Sequence, residues 1–145
     1  MENIFESKVK ISSIFLTYVA NDEDRAKILT KYLDKNSFEV LREGENIKIE
    51  GDYYTSVLNT LKNCDACILL FSRAAYKSII VRAELGFASS NNKPIFGLRI
   101  DEALSDNLGH FFLQIHFMDW FNYNSSKPLE KLVNILKNRE LHNII

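Results

Sequence analysis

In the stretch KSIIVRAELGFASSNNKP, residues 77–94, one carboxylate has the wrong neighbours. Wound as a helix at about 100° per residue, the segment gathers Ser78, Arg82 and Ser89 on one side. Ile79, Ile80, Val81, Ala83, Phe87 and Ala88 cover the rest. Glu84 falls opposite the polar side, with Ile80 and Val81 one turn before it and Phe87 and Ala88 one turn after, so it is expected to face a core. An apolar surround raises a carboxyl pKa by desolvation, a cost more often tolerated at functional sites than elsewhere. An anion held in a water-poor cleft stabilises positive charge that develops in a transition state. The competing reading is structural: Glu84 sits at a helix margin, half covered, and reaches solvent or a nearby arginine.

Other chemistries find little support. Cys64 and Cys67 form CDAC, but a redox pair needs a helix N-terminus to lower a thiol pKa, and this motif runs into the apolar CILLF. They read as small buried hydrophobes in a reducing compartment. His110, His116 and His142 have no ligand-like spacing to cysteines or carboxylates, so no metal site is expected. Neither GxGxxG nor GxxxxGK[ST] occurs, which removes the glycine cradles for nucleotides. With a formal net charge of −1 and no basic cluster, nucleic acid and anionic membrane are not expected partners. No apolar run approaches the roughly 20 residues of a spanning helix, and MENIFESKVK lacks a basic n-region, so a cytoplasmic location is expected.

The 145 residues suit one domain, 1–145, with a core over about 12–140. SSIFLTY reads as a strand buried on both faces, and NDEDRAKILTKYLDKN as a helix with Ala26, Ile28, Leu29, Tyr32 and Leu33 inward. FEVLR is a second strand, followed by the polar loop EGENIKIEGD, whose Gly44 and Gly51 admit backbone angles other residues avoid. The helix YYTSVLNTLKNC leads to the strongest strand, ACILLFS; the Glu84 helix follows, then the strand KPIFGLRI. EALSDNLGHFFL predicts a short helix, QIHFMDW a fifth strand, and SKPLEKLVNILKNREL a last helix with Pro128 in its first turn and Leu129, Leu132, Val133 and Leu136 inward.

This alternation predicts a flavodoxin-like three-layer α/β fold, a five-stranded parallel sheet with helices on both faces. Ligands in such sheets bind beyond the carboxyl ends of the strands where strand order reverses, here between the first and third, at loops that start at Tyr18, Arg42 and Ser72. A receiver domain would place a phospho-accepting aspartate after the third strand, where FSR stands; a flavodoxin would place a phosphate loop after the first, where VANDED stands.

Four segments in order resemble TIR (Toll/interleukin-1 receptor-like) domains, over roughly residues 12–140. SIFLTYVANDEDRA is similar to their Phe-x-Ser-Tyr opening, with Thr17 in place of the usual Ser. EGENIKIEGDYYTSVLNTLKNCDACILLFSRAAYKS resembles their BB loop, second helix and third strand, with Gly51 at the loop glycine. KSIIVRAELGFASSNNKPIFGLRID is similar to the Ser-x-x-Val-x-x-Glu helix and next strand of the bacterial branch, and HFFLQIHFMDWF to its fifth-strand segment.

The resemblance implies that Glu84 is the catalytic residue of an NAD+ glycohydrolase or ADP-ribosyl cyclase in bacterial immune signalling, with NAD+ as substrate and neither cofactor nor metal. It implies that Tyr18, Tyr53, Ser78 and Ile80 line the substrate cleft, against plainer roles in packing or capping. Ile80 stands where many NAD-cleaving relatives have a Trp. Glu43, Gly44, Ile47, Ile49 and Gly51 of the BB loop are implied as an interface for self-association or for other TIR domains, which fits apolar side chains in a loop expected to be polar. Arg42 with Glu43 either borders the cleft or is an ordinary solvated strand end, and the second reading is preferred. Two alternatives remain: a noncatalytic TIR–TIR interaction module, and a nucleoside-deoxyribosyltransferase-like enzyme.

Overall fold

The structure, a computed structural model, describes residues 10–42, 51–102 and 115–138. Its strands are β1 (Ser13–Thr17), β2 (Glu39–Arg42), β3 (Ala66–Phe71), β4 (Ile95–Arg99) and β5 (His116–Asp119), all parallel in the order β2-β1-β3-β4-β5. Its helices are α1 (Glu23–Lys35), α2 (Tyr53–Asn63), α3 (Arg73–Lys77), α4 (Ile79–Ser90) and α5 (Lys127–Lys137). This is the five-stranded flavodoxin-like sheet expected, with order reversing between β1 and β3.

The pleat sorts the strand residues into two cores. Ile14 and Leu16 of β1, Ile68 and Leu70 of β3, and Phe96 and Leu98 of β4 join Ala26, Leu29 and Leu33 of α1 and Leu129, Leu132, Val133 and Leu136 of α5. The alternate positions Phe15, Cys67, Leu69 and Phe71 meet Val57 and Leu61 of α2, Ala75 of α3, and Val81, Leu85 and Ala88 of α4. All six residues of β3 are buried, which is why its sequence is a continuous apolar run. Gly97 of β4 lies beside Phe117 of β5, whose ring occupies the space a Cβ would need.

The structure alters two expectations about the Glu84 helix. The loop from Ser72 contains the short helix α3, and the chain breaks at Ser78 (φ −80°, ψ 123°) before α4 begins. Ile79 and Ile80 are 82% and 54% exposed rather than facing a core. A helix that crosses back over a parallel sheet starts at the strands' carboxyl edge, so its first turn overhangs that edge and only later turns cover strands. The short helix expected over residues 102–113 falls, except for Glu102, outside the described residues.

Candidate functional site

Thr17 is the last residue of β1, paired with Leu69 of β3, and its side chain shares the face of Phe15. Glu84 lies in the second turn of α4 within the stripe Val81, Leu85 and Ala88 that packs on this face. The Thr17 hydroxyl donates to Glu84 Oε1 at 2.6 Å. Thr17 is 1% exposed and Glu84 3%, so Glu84 is not at a helix margin. Cys67 of β3 lies close enough to respond electrostatically: burial pushes its thiol well above the usual range, and the Glu84 carboxylate adds to the shift. The hydrogen bond to β1 and the electrostatic influence on Cys67 of β3 place the buried carboxylate near the seam where strand order reverses.

Both cysteines are buried and free, and burial pushes the Cys64 thiol up to about 12. Each stays a neutral thiol at physiological pH. Among the described residues, no group of three or more His, Cys, Asp and Glu is placed to hold a metal ion. No described helix is long and apolar enough to cross a membrane.

Tyr18 follows Thr17 but packs on the α1 and α5 side. Its hydroxyl donates to Glu23 Oε1 at 2.7 Å and accepts from Arg42 Nη1 at 2.7 Å, while Arg42 Nη1 also lies 2.6 Å from Glu23 Oε2. Burial, reinforced by the bond to Glu23, pushes the Tyr18 phenol up to about 12. Burial also tends to raise the Glu23 carboxyl, but the bonds from Tyr18 and Arg42 outweigh it and hold Glu23 below the usual range. Arg42 is 4% exposed, which corrects the reading of a solvated strand end. Its partners are Tyr18, just after β1, and Glu23, the first residue of α1, distant in sequence, so nothing local to β2 announced the burial.

Ser78 caps α4, its Oγ accepting the Val81 amide at 3.1 Å. Tyr53 opens α2 and is 47% exposed, and α2 packs beside α4. The amino ends of both helices carry exposed Tyr53, Tyr54, Ile79 and Ile80. Ile80 lies one turn before Glu84, on the exposed end of α4 rather than beside the carboxylate in the core. Gly51, at φ 77°, holds a backbone conformation that L side chains rarely adopt. Glu43, Gly44, Ile47 and Ile49 lie outside the described residues.

A second polar group at this edge had no signal in the sequence pattern. Ser72 Oγ donates to Asp22 Oδ2 at 2.6 Å and accepts the Ala75 amide at 3.1 Å; the Asp101 carboxylate accepts the Arg73 amide at 3.1 Å. Burial raises the Asp22 pKa and Asp101 adds to the shift, against the pull of Ser72 and Arg25. Asp22 therefore binds a proton more tightly folded than unfolded. Its contribution to stability is full below the ordinary carboxylate range and is lost as pH rises through its raised folded pKa. Asp22→Asn, whose amide oxygen still accepts from Ser72, is expected to melt at a higher temperature than the wild type at pH 7 and level with it near pH 3. An equal offset at both values, followed by circular dichroism, would contradict the shift.

The fold is shared with solved structures that differ widely in sequence. The TIR domain of the Toll-related receptor TRR-2 from Hydra magnipapillata superposes with a TM-score of 0.71 at 15% identity, covering 86% of this chain and 98% of that one. The Clostridium botulinum CMP N-glycosidase BcmB gives 0.60 at 21% identity, covering 83% and 98%. The TIR domains of the activated Roq1 resistosome give 0.55 at 12% identity, covering 89% and 80%. No curated protein matches the chain. Residues 14–133, from the second residue of β1 into α5, match the TIR domain family. With the reversal between β1 and β3 and the Thr17–Glu84 pair beneath it, that match over most of the sequence makes this chain a member of the TIR domain family.

Proposed function

We propose that this TIR domain cleaves the nicotinamide–ribose bond of NAD+, as a glycohydrolase or an ADP-ribosyl cyclase, with Glu84 as the catalytic carboxylate. The observation that carries the reading is the burial of that carboxylate near the β1–β3 seam, in a family with NAD+-cleaving members. Nicotinamide leaves as a neutral base and needs no proton, and the ribose left behind acquires oxocarbenium character. A preplaced anion stabilises that charge most strongly where water is excluded. Capture of the cation by water gives ADP-ribose, and capture by an adenine nitrogen gives a cyclic product.

At 3% exposure, Glu84 meets a substrate only after its surroundings shift. The exposed apolar side chains of Tyr53, Tyr54, Ile79 and Ile80 at the same edge supply a surface for a second TIR domain, whose docking would drive that shift. The enzyme is therefore read as assembly-dependent, working in the cytoplasm in bacterial immune signalling. Nicotinamide release is expected to rise faster than linearly with protein concentration, with ADP-ribose or its cyclic form as coproduct on chromatography. Release strictly proportional to concentration would remove the dependence on assembly.

A second reading, a noncatalytic interaction module, draws on Ile80: the exposed aliphatic chain offers no aromatic face to nicotinamide. Absence of release even in crowded, concentrated protein would favour it. BcmB breaks the same class of bond in CMP, so CMP assayed beside NAD+ separates a nucleotide N-glycosidase from an NAD+-specific enzyme.

A further inference from the structure

We propose that Thr17 is the positioning residue for Glu84, its hydroxyl fixing the rotation of the carboxylate and holding it ionised within an apolar surround. The inference deepens the reading of Glu84 as the catalytic carboxylate and rests on it for its kinetic consequences.

The 2.6 Å separation lies in the range of a charge-assisted O–H···O⁻ bond, and burial of both partners keeps water from competing for it. The donor is anchored firmly. β1 is an interior strand, hydrogen-bonded to β2 on one side and β3 on the other, and Thr17 itself pairs with Leu69 of β3, so its backbone is held within the sheet. Its β-branched side chain has a restricted χ1, which aims Oγ1 more narrowly than a serine hydroxyl. The β-branched side chain therefore stiffens the support at this position.

β3 presents the Cys67 thiol, held neutral by burial and by Glu84 itself. On β4, Arg99 Nε pairs with Asp119 at 2.7 Å. On α3, Arg73 and Lys77 are exposed and Tyr76 stands edge-on to Phe71. On α2, Tyr53, Tyr54 and Lys62 are exposed. Arg82 of α4 is exposed and donates to the Tyr76 carbonyl at 3.0 Å. The Thr17 hydroxyl, donating within the core, offsets part of the desolvation of the anion.

The test is a titration of the Glu84 carboxyl in protein carrying ¹³C at the glutamate side-chain carboxyl, with the signal assigned by its loss in Glu84→Gln. Thr17→Val removes the donor at nearly constant shape, and is expected to raise the titration midpoint by about one pH unit or more. Thr17→Ser, which keeps the hydroxyl, should stay close to wild type. In the activity assay, Thr17→Val should shift the acid limb of the pH–rate profile in the same direction and lower kcat more than it changes KM. If valine prevents folding, Thr17→Ala removes the hydroxyl with a smaller side chain. An unmoved midpoint in the hydroxyl-free variant overturns the proposal whether or not the chain cleaves NAD+. A shifted midpoint in protein that releases no nicotinamide removes the catalytic reading and leaves the Thr17–Glu84 coupling established.

Discussion

Glu84→Gln is expected to lower nicotinamide release by about a hundredfold or more, the scale of removing one electrostatic stabiliser from an active site. Glutamine keeps the length of the side chain and an oxygen that accepts from Thr17, so the geometry of the 2.6 Å contact has a neutral counterpart. What disappears is the negative charge opposite the developing cation. Stability should hold or rise, because burying an ion costs free energy that a neutral amide avoids. The measurement is kcat at saturating NAD+ beside a thermal melt of the same preparation. Activity retained in a folded variant would mean that the charge is not used in the chemistry, and Glu84 would then be a structural residue of the sheet–helix interface.

Trp120→Ala should produce the largest loss of stability, about 3–5 kcal/mol by the usual cost of truncating a core aromatic. The ring is fully buried in the core between the sheet and helices α1 and α5. Its Nε1 donates to the Ser125 carbonyl at 3.2 Å, and the Arg25 guanidinium lies 4.7 Å from the ring centroid. Arg25 also donates to the backbone carbonyls of Trp120 and Phe121, at 2.6 Å each, tying α1 to the segment after β5. Alanine would leave a cavity and strip Arg25 of the nearer of its two ring partners, Trp120 and Tyr123. Trp120 is the only tryptophan, so urea unfolding must be followed by circular dichroism rather than indole fluorescence. A loss below about 1 kcal/mol would show that the surrounding core collapses onto the vacated space.

Local pattern carried much of the architecture. The apolar runs at β1 and β3 and the inward stripes of α1 and α5 are repeated in the two cores, because period 2 and period 3.6 directly state which side of an element avoids water. Glu84 was legible for the same reason: its place in the apolar stripe of α4 is a matter of angle along one helix. The position of Ile79 and Ile80 was not, since periodicity reports direction around a helix but not where along it the sheet ends.

Contacts that join distant segments were beyond such a reading. Arg42 is buried because Tyr18 and Glu23, 24 and 19 residues earlier, receive its guanidinium. Asp22 meets Ser72 across 50 residues, and Thr17 meets Glu84 across 67. A hydroxyl at the end of a strand has the same local appearance whether it faces water or a carboxylate. Strand order decides between those cases, because placing β1 beside β3 and crossing α4 over their seam brings the hydroxyl and the carboxylate within one hydrogen bond, away from solvent.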